Sequence, residues 1–283
     1  MIIGIISCLS VAAALLICAG TGAFESLGWL WVLPLSAAGS FLVLFIAAIG
    51  FFIVLCSFID PNKPREQDTP WFRKMLLRYL AAVFTILPIR INTRGLEKIP
   101  KDGRFLLVCN HLHEIDPAFL LHCFPKSQLA FVGKKETADM FLVNKVMPKL
   151  LCQMIDREND REALKTILRC IGLLKADTVS IAIFPEGRIN KLRKLAHFRP
   201  GVFKIAQKAQ VPVVVCTIQN TNHVIKRLLQ FKGSTVELHL VDVIPAEHLE
   251  GRTTVDVAEE VYAMMAQDLG PENVLTPEEE EKA

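Results

Sequence analysis

The first sixty residues carry almost no charge. Glu25 and Asp60 are the only charged side chains before Lys63, which is the first basic residue. Two apolar runs fill the stretch, Ile2 to Ala19 and Trp29 to Ile59, the second interrupted by Pro34 and Gly39. Each is near the ~20 residues that a helix needs to cross the hydrocarbon core of a bilayer. A segment of this composition is built for lipid, so residues 1–60 are expected to form two membrane helices.

The link from Gly20 to Ser26 has turn formers and no Lys or Arg, whereas Lys63, Arg65, Arg73, Lys74 and Arg78 follow the second run. By the positive-inside rule the link faces out and the C-terminal part faces the cytoplasm. A re-entrant hairpin in one leaflet, helped by Pro34, is the alternative that hydropathy leaves open. A cleaved signal is disfavoured, because the first run has no basic n-region and a second apolar run follows it.

Asp60-Pro61-Asn62-Lys63-Pro64 is a breaker cluster that closes this segment. Residues 61–88 read as a linker and a helix over Trp71 to Leu87. Trp71, Phe72, Met75, Leu76, Tyr79 and Leu80 fall mostly on one face of it, with Arg73, Lys74 and Arg78 largely elsewhere. Two placements fit: a helix lying on anionic headgroups, or one packed on a domain core.

From residue 89 to 270, short apolar runs alternate with helical stretches. The expected strands are Ile89–Thr93, Phe105–Cys109, Leu129–Val132, Leu151–Ile155, Val179–Phe184, Val213–Ile218 and Val236–Val243. The expected helices are Arg161–Lys175, Val202–Ala209 and Thr254–Leu269. This alternation predicts the α/β class, a mixed β-sheet flanked by helices. Residues 271–283 form an acidic tail containing Glu278 to Glu281, which reads as a frayed, solvated end. The eight cysteines include no CxxC pair. They indicate neither a disulfide framework nor a zinc site, and a reducing compartment is the simplest setting.

Two strand ends carry the chemistry. After Phe105–Cys109 comes Asn110-His111-Leu112-His113-Glu114-Ile115-Asp116-Pro117. Asp suits a helix N-cap and Pro the first helical position, so a short helix through Phe119, Leu120 and Leu121 is expected to open there. This strand-loop-helix can set the His111 imidazole beside the Asp116 carboxylate, the unit of a general base. Cys109 is expected to point into the core rather than act as a nucleophile. The second strand end is Phe184-Pro185-Glu186-Gly187-Arg188. Pro185 cannot donate to the ladder and Gly187 permits a sharp turn, which puts Glu186 at the strand mouth beside exposed backbone amides. Alone, that tripeptide could be a turn carrying a solvated acid.

Together, the N-H-x4-D and F-P-E-G blocks resemble the glycerolipid acyltransferase family, of the 1-acylglycerol-3-phosphate acyltransferase type. Two further blocks follow the same order: Lys134-Lys135-Glu136 with Ile155-Asp156-Arg157, and Phe198-Arg199-Pro200-Gly201 with Val211-Pro212-Val213-Val214. The likeness covers roughly residues 90 to 220. Two departures stand out. Arg188-Ile189-Asn190 replaces the usual Thr-Arg-Ser after the glycine, and Val215 stands where a second proline is common.

The resemblance implies acyl transfer from acyl-CoA or acyl-carrier protein to the sn-2 hydroxyl of lysophosphatidic acid, giving phosphatidic acid. His111 would be the base and Asp116 its orienter. Arg157, Arg188 and Lys134 would bind the acceptor's anionic group, Arg157 by a bidentate pair. Glu186 would organise donors around the acceptor. Backbone amides of the Glu186-Gly187 turn, or those near the Asp116 helix start, would stabilise the oxyanion. Neither cofactor, metal nor nucleic acid is implied. The expected setting is an integral membrane protein with its catalytic part on the cytoplasmic face of a bacterial-type plasma membrane. Glycerol 3-phosphate or another lysolipid as acceptor, and a non-catalytic lipid- or carrier-binding homologue, are the other readings. Lys191-Leu192-Arg193-Lys194-Leu195 reads either as a membrane-surface loop near the site or as an ordinary solvated one.

Overall fold

The structure, a computed structural model, describes residues 2–61, 63, 65–156 and 159–280. Helices α1 (Ile2–Gly20) and α2 (Trp29–Ser57) pack along one another as a hairpin, with Pro34 inside α2. Both are long and apolar enough to cross a membrane. Their outer surfaces are apolar and open, with Leu16, Trp31, Leu35 and Val43 exposed.

Helix α3 (Pro70–Ile86) packs on the α/β domain and buries Phe72, Leu76 and Ala82, which decides between the two placements that its pattern allowed. Arg73, expected away from the packed face, is buried as well. Its guanidinium pairs with Asp68 at 2.8 and 2.9 Å and donates to the Leu129 and Leu150 carbonyls at 2.7 and 3.2 Å. The first turn of α3 meets the chain ends that lead into and away from the sheet. Buried carbonyls there need a donor, and the planar five-donor guanidinium supplies several at once.

The sheet elements follow in the order β1 (Ile89–Arg94), β2 (Leu106–Cys109), α4 (Asp116–Cys123), β3 (Leu129–Lys134), α5 (Val143–Lys149), β4 (Gln153–Ile155), α6 (Asp160–Lys175) and β5 (Ser180–Ile183). Then come α7 (Lys204–Ala209), β6 (Val213–Gln219), α8 (Thr221–Leu229), β7 (Ser234–Ile244), α9 (Thr254–Leu269) and α10 (Pro277–Glu280). The described strands form one sheet in the order β1-β7-β6-β2-β5-β3-β4. Pairing is parallel except between β6 and β7, so β1 and β7 run against the rest. This is the mixed sheet expected from the sequence. Each expected strand is present with shifted ends, while α5 and α8 are short and had not been foreseen.

Side chains of β2 alternate between two apolar layers. Leu106 and Val108 face α6, α7 and α9, whereas Phe105, Leu107 and Cys109 face α3, α4, α8 and the end of α2. Burial on both faces is why the central strands read as continuous apolar runs.

Up to Glu280 the C-terminal tail is a correction to the expectation of a frayed end, and Glu281 lies outside the described residues. Glu279 of α10 pairs with Lys194 at 2.9 Å, and Glu280 accepts the His197 amide at 2.8 Å. Leu195 and Val274 form a β-bridge, and Leu195 is fully buried. The basic Lys191–Leu195 segment is therefore neither a free loop nor wholly a surface one. Arg193 donates to the Leu112 carbonyl at 2.7 Å, and Leu192 alone of its leucines stays exposed.

Candidate active site

Three strands end side by side where the candidate residues sit. The Asn110 side chain bonds Ile218 through both of its polar atoms, Nδ2 to the carbonyl at 2.9 Å and Oδ1 to the amide at 2.8 Å. This locks the exit of β2 to β6, so the chain leaves the sheet at His111 in a fixed direction. Sequence reasoning gave Asn110 no role; its signal was a buried amide-bearing side chain directly after an apolar strand.

His111 Nδ1 lies 2.8 Å from Asp116 Oδ2, and Asp116 is fully buried. A carboxylate accepts only, so Nδ1 carries the proton and Nε2 keeps the lone pair. Asp116 does not cap its own helix as expected. It occupies the first position of α4, behind Ile115 at the N-cap, and its Oδ2 also accepts the amides of Leu112 at 2.7 Å and His113 at 2.9 Å. The carboxylate turns back into the loop because His111 and two loop donors converge there. Its Oδ1 is buried with no hydrogen-bond partner among the described residues.

Glu186 holds the same loop from the opposite side. Instead of a solvated acid it is a buried one, with Oε1 accepting the His111 amide at 2.8 Å and Oε2 the Ala196 amide at 3.0 Å. Burial pushes its carboxyl up to about 8, outweighing the two amide hydrogen bonds, which pull the other way. The Phe184 ring stacks on the His111 imidazole, with centroids 3.9 Å apart and planes 11° apart. Gly187 has φ 79°, the left-handed conformation expected of a sharp turn, but its amide is taken by the Phe184 carbonyl at 3.0 Å. The amides of Leu112, His113, Ile115 and Asp116 are also used within their loop. Of the donors foreseen for an oxyanion, these amides are taken, whereas the Glu186 amide has no acceptor among the described residues.

His111 opens onto a cavity of about 640 Å³. Leu76 and Leu80 of α3, Phe131 and Gly133 of β3, and Val146 and Met147 of α5 line it. Arg188 and Lys134 lie at its wall, both exposed, with Lys134 paired to Glu136 at 3.0 Å. Arg157 lies outside the described residues. Cys109 is fully buried in the apolar layer, and burial raises its thiol well above the usual range, with Cys216 adding to the effect. The cavity lining was invisible in the sequence, because α3, β3 and α5 meet only in the fold and α5 is too short to show a period.

The family model described as Acyltransferase matches residues 90–219, a little under half of the chain. The chain is also similar to 1-acyl-sn-glycerol-3-phosphate acyltransferases. The probable enzyme of that name from Mycoplasma pneumoniae is 30% identical over 158 residues, 54% of this chain and 58% of that protein. The one from Borreliella burgdorferi is 28% identical over 166 residues, 57% of this chain and 66% of that protein. In both cases the matched stretch spans less than two thirds of the curated relative. The crystal structure of the 1-acyl-sn-glycerophosphate (LPA) acyltransferase PlsC from Thermotoga maritima superposes with a TM-score of 0.61 at 25% identity. It covers 80% of this chain and 90% of that one. The α/β fold is thus shared with a solved structure.

Proposed function

We propose that this chain transfers a fatty acyl group from a thioester, acyl-CoA or acyl-carrier protein, to the sn-2 hydroxyl of 1-acylglycerol 3-phosphate. The observation that carries the reading is the His111–Asp116 pair at the mouth of an apolar cavity of about 640 Å³, well inside the roughly 300–1,000 Å³ typical of ligand sites. The names of the similar proteins support the acceptor.

An alcohol is a poor nucleophile near neutral pH. His111 Nε2 takes the hydroxyl proton as the oxygen attacks the thioester carbonyl, and returns it to the departing thiolate. Asp116 holds the tautomer and stabilises the imidazolium. For the oxyanion we assign the amides of Arg188 and Ile189, which line the cavity and have no acceptor among the described residues. The acyl chain occupies the apolar cavity between α3, β3 and α5. The Arg188 side chain takes the acceptor phosphate, with Lys134 beside it. Arg157 remains a proposed phosphate ligand on its sequence position alone. Glu186 acts on His111 through the backbone, as a positioning residue.

The α1–α2 hairpin, apolar on all sides, anchors the enzyme in the bilayer where its acceptor resides, with the α/β domain on the cytoplasmic face. The test is an assay of the purified chain in lipid with labelled acyl donors and a panel of acceptors. Turnover of 1-acylglycerol 3-phosphate that vanishes in His111→Ala supports the reading. Turnover of glycerol 3-phosphate alone reassigns the acceptor, and equal turnover by the variant removes His111 from the chemistry.

A further inference from the structure

Helix α8 is apolar over a wider arc than the core covers. Val224 is buried and Leu228 half-buried against the layer that also holds Phe52 and Cys56 of α2 and Phe72 of α3. Ile225 and Leu229 extend that stripe around the helix yet are 43% and 78% exposed. In the turn to β7, Phe231 is 97% exposed, on a backbone with φ 56°, the left-handed region that a phenylalanine rarely occupies. Lys226, Arg227 and Lys232 interleave with these groups and are exposed too, and no acidic residue falls between Thr221 and Gly233.

The place of this corner narrows what covers it. Strand β2 runs parallel to β6 and β6 antiparallel to β7, so β7 begins at the edge of the sheet where β2 ends and His111 stands. Strand β7 is two places along from β2, about 10 Å away. Ser234, at the start of β7, donates to the Pro88 carbonyl at 2.9 Å, which sets the corner against the end of α3, where Ile86 is exposed. The patch is thus continuous with the face that receives the anchoring hairpin, and it shares its edge with the site. Apolar side chains flanked by lysines and arginine are the composition that seats a helix at an anionic bilayer surface.

We infer that the α8–β7 corner is a second membrane contact: Ile225, Leu229 and Phe231 enter the acyl-headgroup boundary while Lys226 and Lys232 meet anionic headgroups. This contact, with the hairpin, fixes the tilt of the domain and holds the His111 edge against the bilayer. It rests on the reading that α1 and α2 lie in lipid.

The test uses the full chain in nanodiscs of phosphatidylcholine with and without phosphatidylglycerol, comparing it with its Phe231→Trp variant. Lipids brominated near the headgroup end of their chains quench tryptophan that sits in the boundary. All proteins carry Trp71→Phe, which removes the exposed tryptophan of α3, so quenching before Phe231→Trp is added reports the hairpin, because Trp29 and Trp31 open α2. The emission that the variant adds is expected to be lost with brominated lipid and protected from aqueous acrylamide. In discs containing phosphatidylglycerol, Lys226→Glu with Lys232→Glu is expected to restore part of it. An added emission quenched by acrylamide but not by brominated lipid overturns the contact while leaving the anchor intact. Protection from both quenchers means that protein covers the patch, which also overturns it. A Trp71→Phe protein untouched by brominated lipid removes the anchor and the inference with it.

Discussion

Glu186 Oε1 accepts the backbone amide of His111 at 2.8 Å, across 75 residues of sequence. The imidazole is thus fixed twice, at its ring by Asp116 and at its backbone by a buried acid on the neighbouring strand end. Burial raises the Glu186 carboxyl from 4.5 to about 8, so the folded protein binds a proton there that the unfolded chain has lost. Stability from this group is therefore fully present below pH 4.5 and declines as pH rises towards about 8. The slope is expected to approach, and not exceed, about 1.4 kcal/mol per pH unit. Denaturant titrations across this window should show the decline in wild type and a flatter profile in Glu186→Gln. Parallel profiles would mean that Glu186 is not the group responsible.

His111→Ala is expected to lower kcat by about 10²- to 10⁴-fold, the usual contribution of a positioned general base. Asp116→Asn should fall in the same range, since an amide at this place cannot both accept from Nδ1 and stabilise an imidazolium. KM for the acyl donor should change little in either variant. Steady-state kinetics with saturating acceptor check this, and a donor KM that rises while kcat holds would assign both residues to binding.

Gly133 sits on β3 at the cavity wall, where an added Cβ would come 2.9 Å from the Met147 Cε. That neighbour is the far end of a flexible side chain, so a substitution is accommodated by moving it into the cavity. Gly133→Leu should therefore fold and shorten the space for an acyl chain. The ratio of kcat/KM for long over short donors is expected to drop by about tenfold, the scale on which apolar pockets distinguish one or a few methylenes. An unchanged ratio would place the chain elsewhere.

Arg73 and Asp68 form a buried pair whose side chains are 5% and 8% exposed. Removing one partner strands the other charge, together with the Leu129 and Leu150 carbonyls that Arg73 satisfies. Arg73→Met should cost about 3–5 kcal/mol of stability, and adding Asp68→Asn should recover part of it. Unfolding of the single and double variants in the same detergent tests this, and additive losses would argue against coupling.

Much of the molecule is local and was legible. The strand runs of β2, β5 and β6 are uniformly apolar because both faces of those strands are buried, and such runs need no tertiary knowledge to recognise. Helix α5 was missed because it spans a mere seven residues, too few for a helical period to emerge. Helix α8 was missed as well, its nine residues spanning little more than two turns. The spacing of His111 and Asp116 announced their pairing because only four residues separate them.

Arg73 and the C-terminal glutamates were misjudged for a common reason. Each is a charged residue with hydrogen-bond partners far away in sequence, for Arg73 the Leu129 and Leu150 carbonyls, and local composition assigns such residues to water by default. The sequence by itself determined the lipid-suited hairpin, the alternating α/β order and the His111–Asp116 unit, all of which depend on neighbours within a few residues. Only the tertiary structure decided that Glu186 is buried and holds His111, that Arg73 ties α3 to the sheet, and that α3, β3 and α5 enclose a cavity. Those outcomes follow from contacts between segments that the chain order keeps apart.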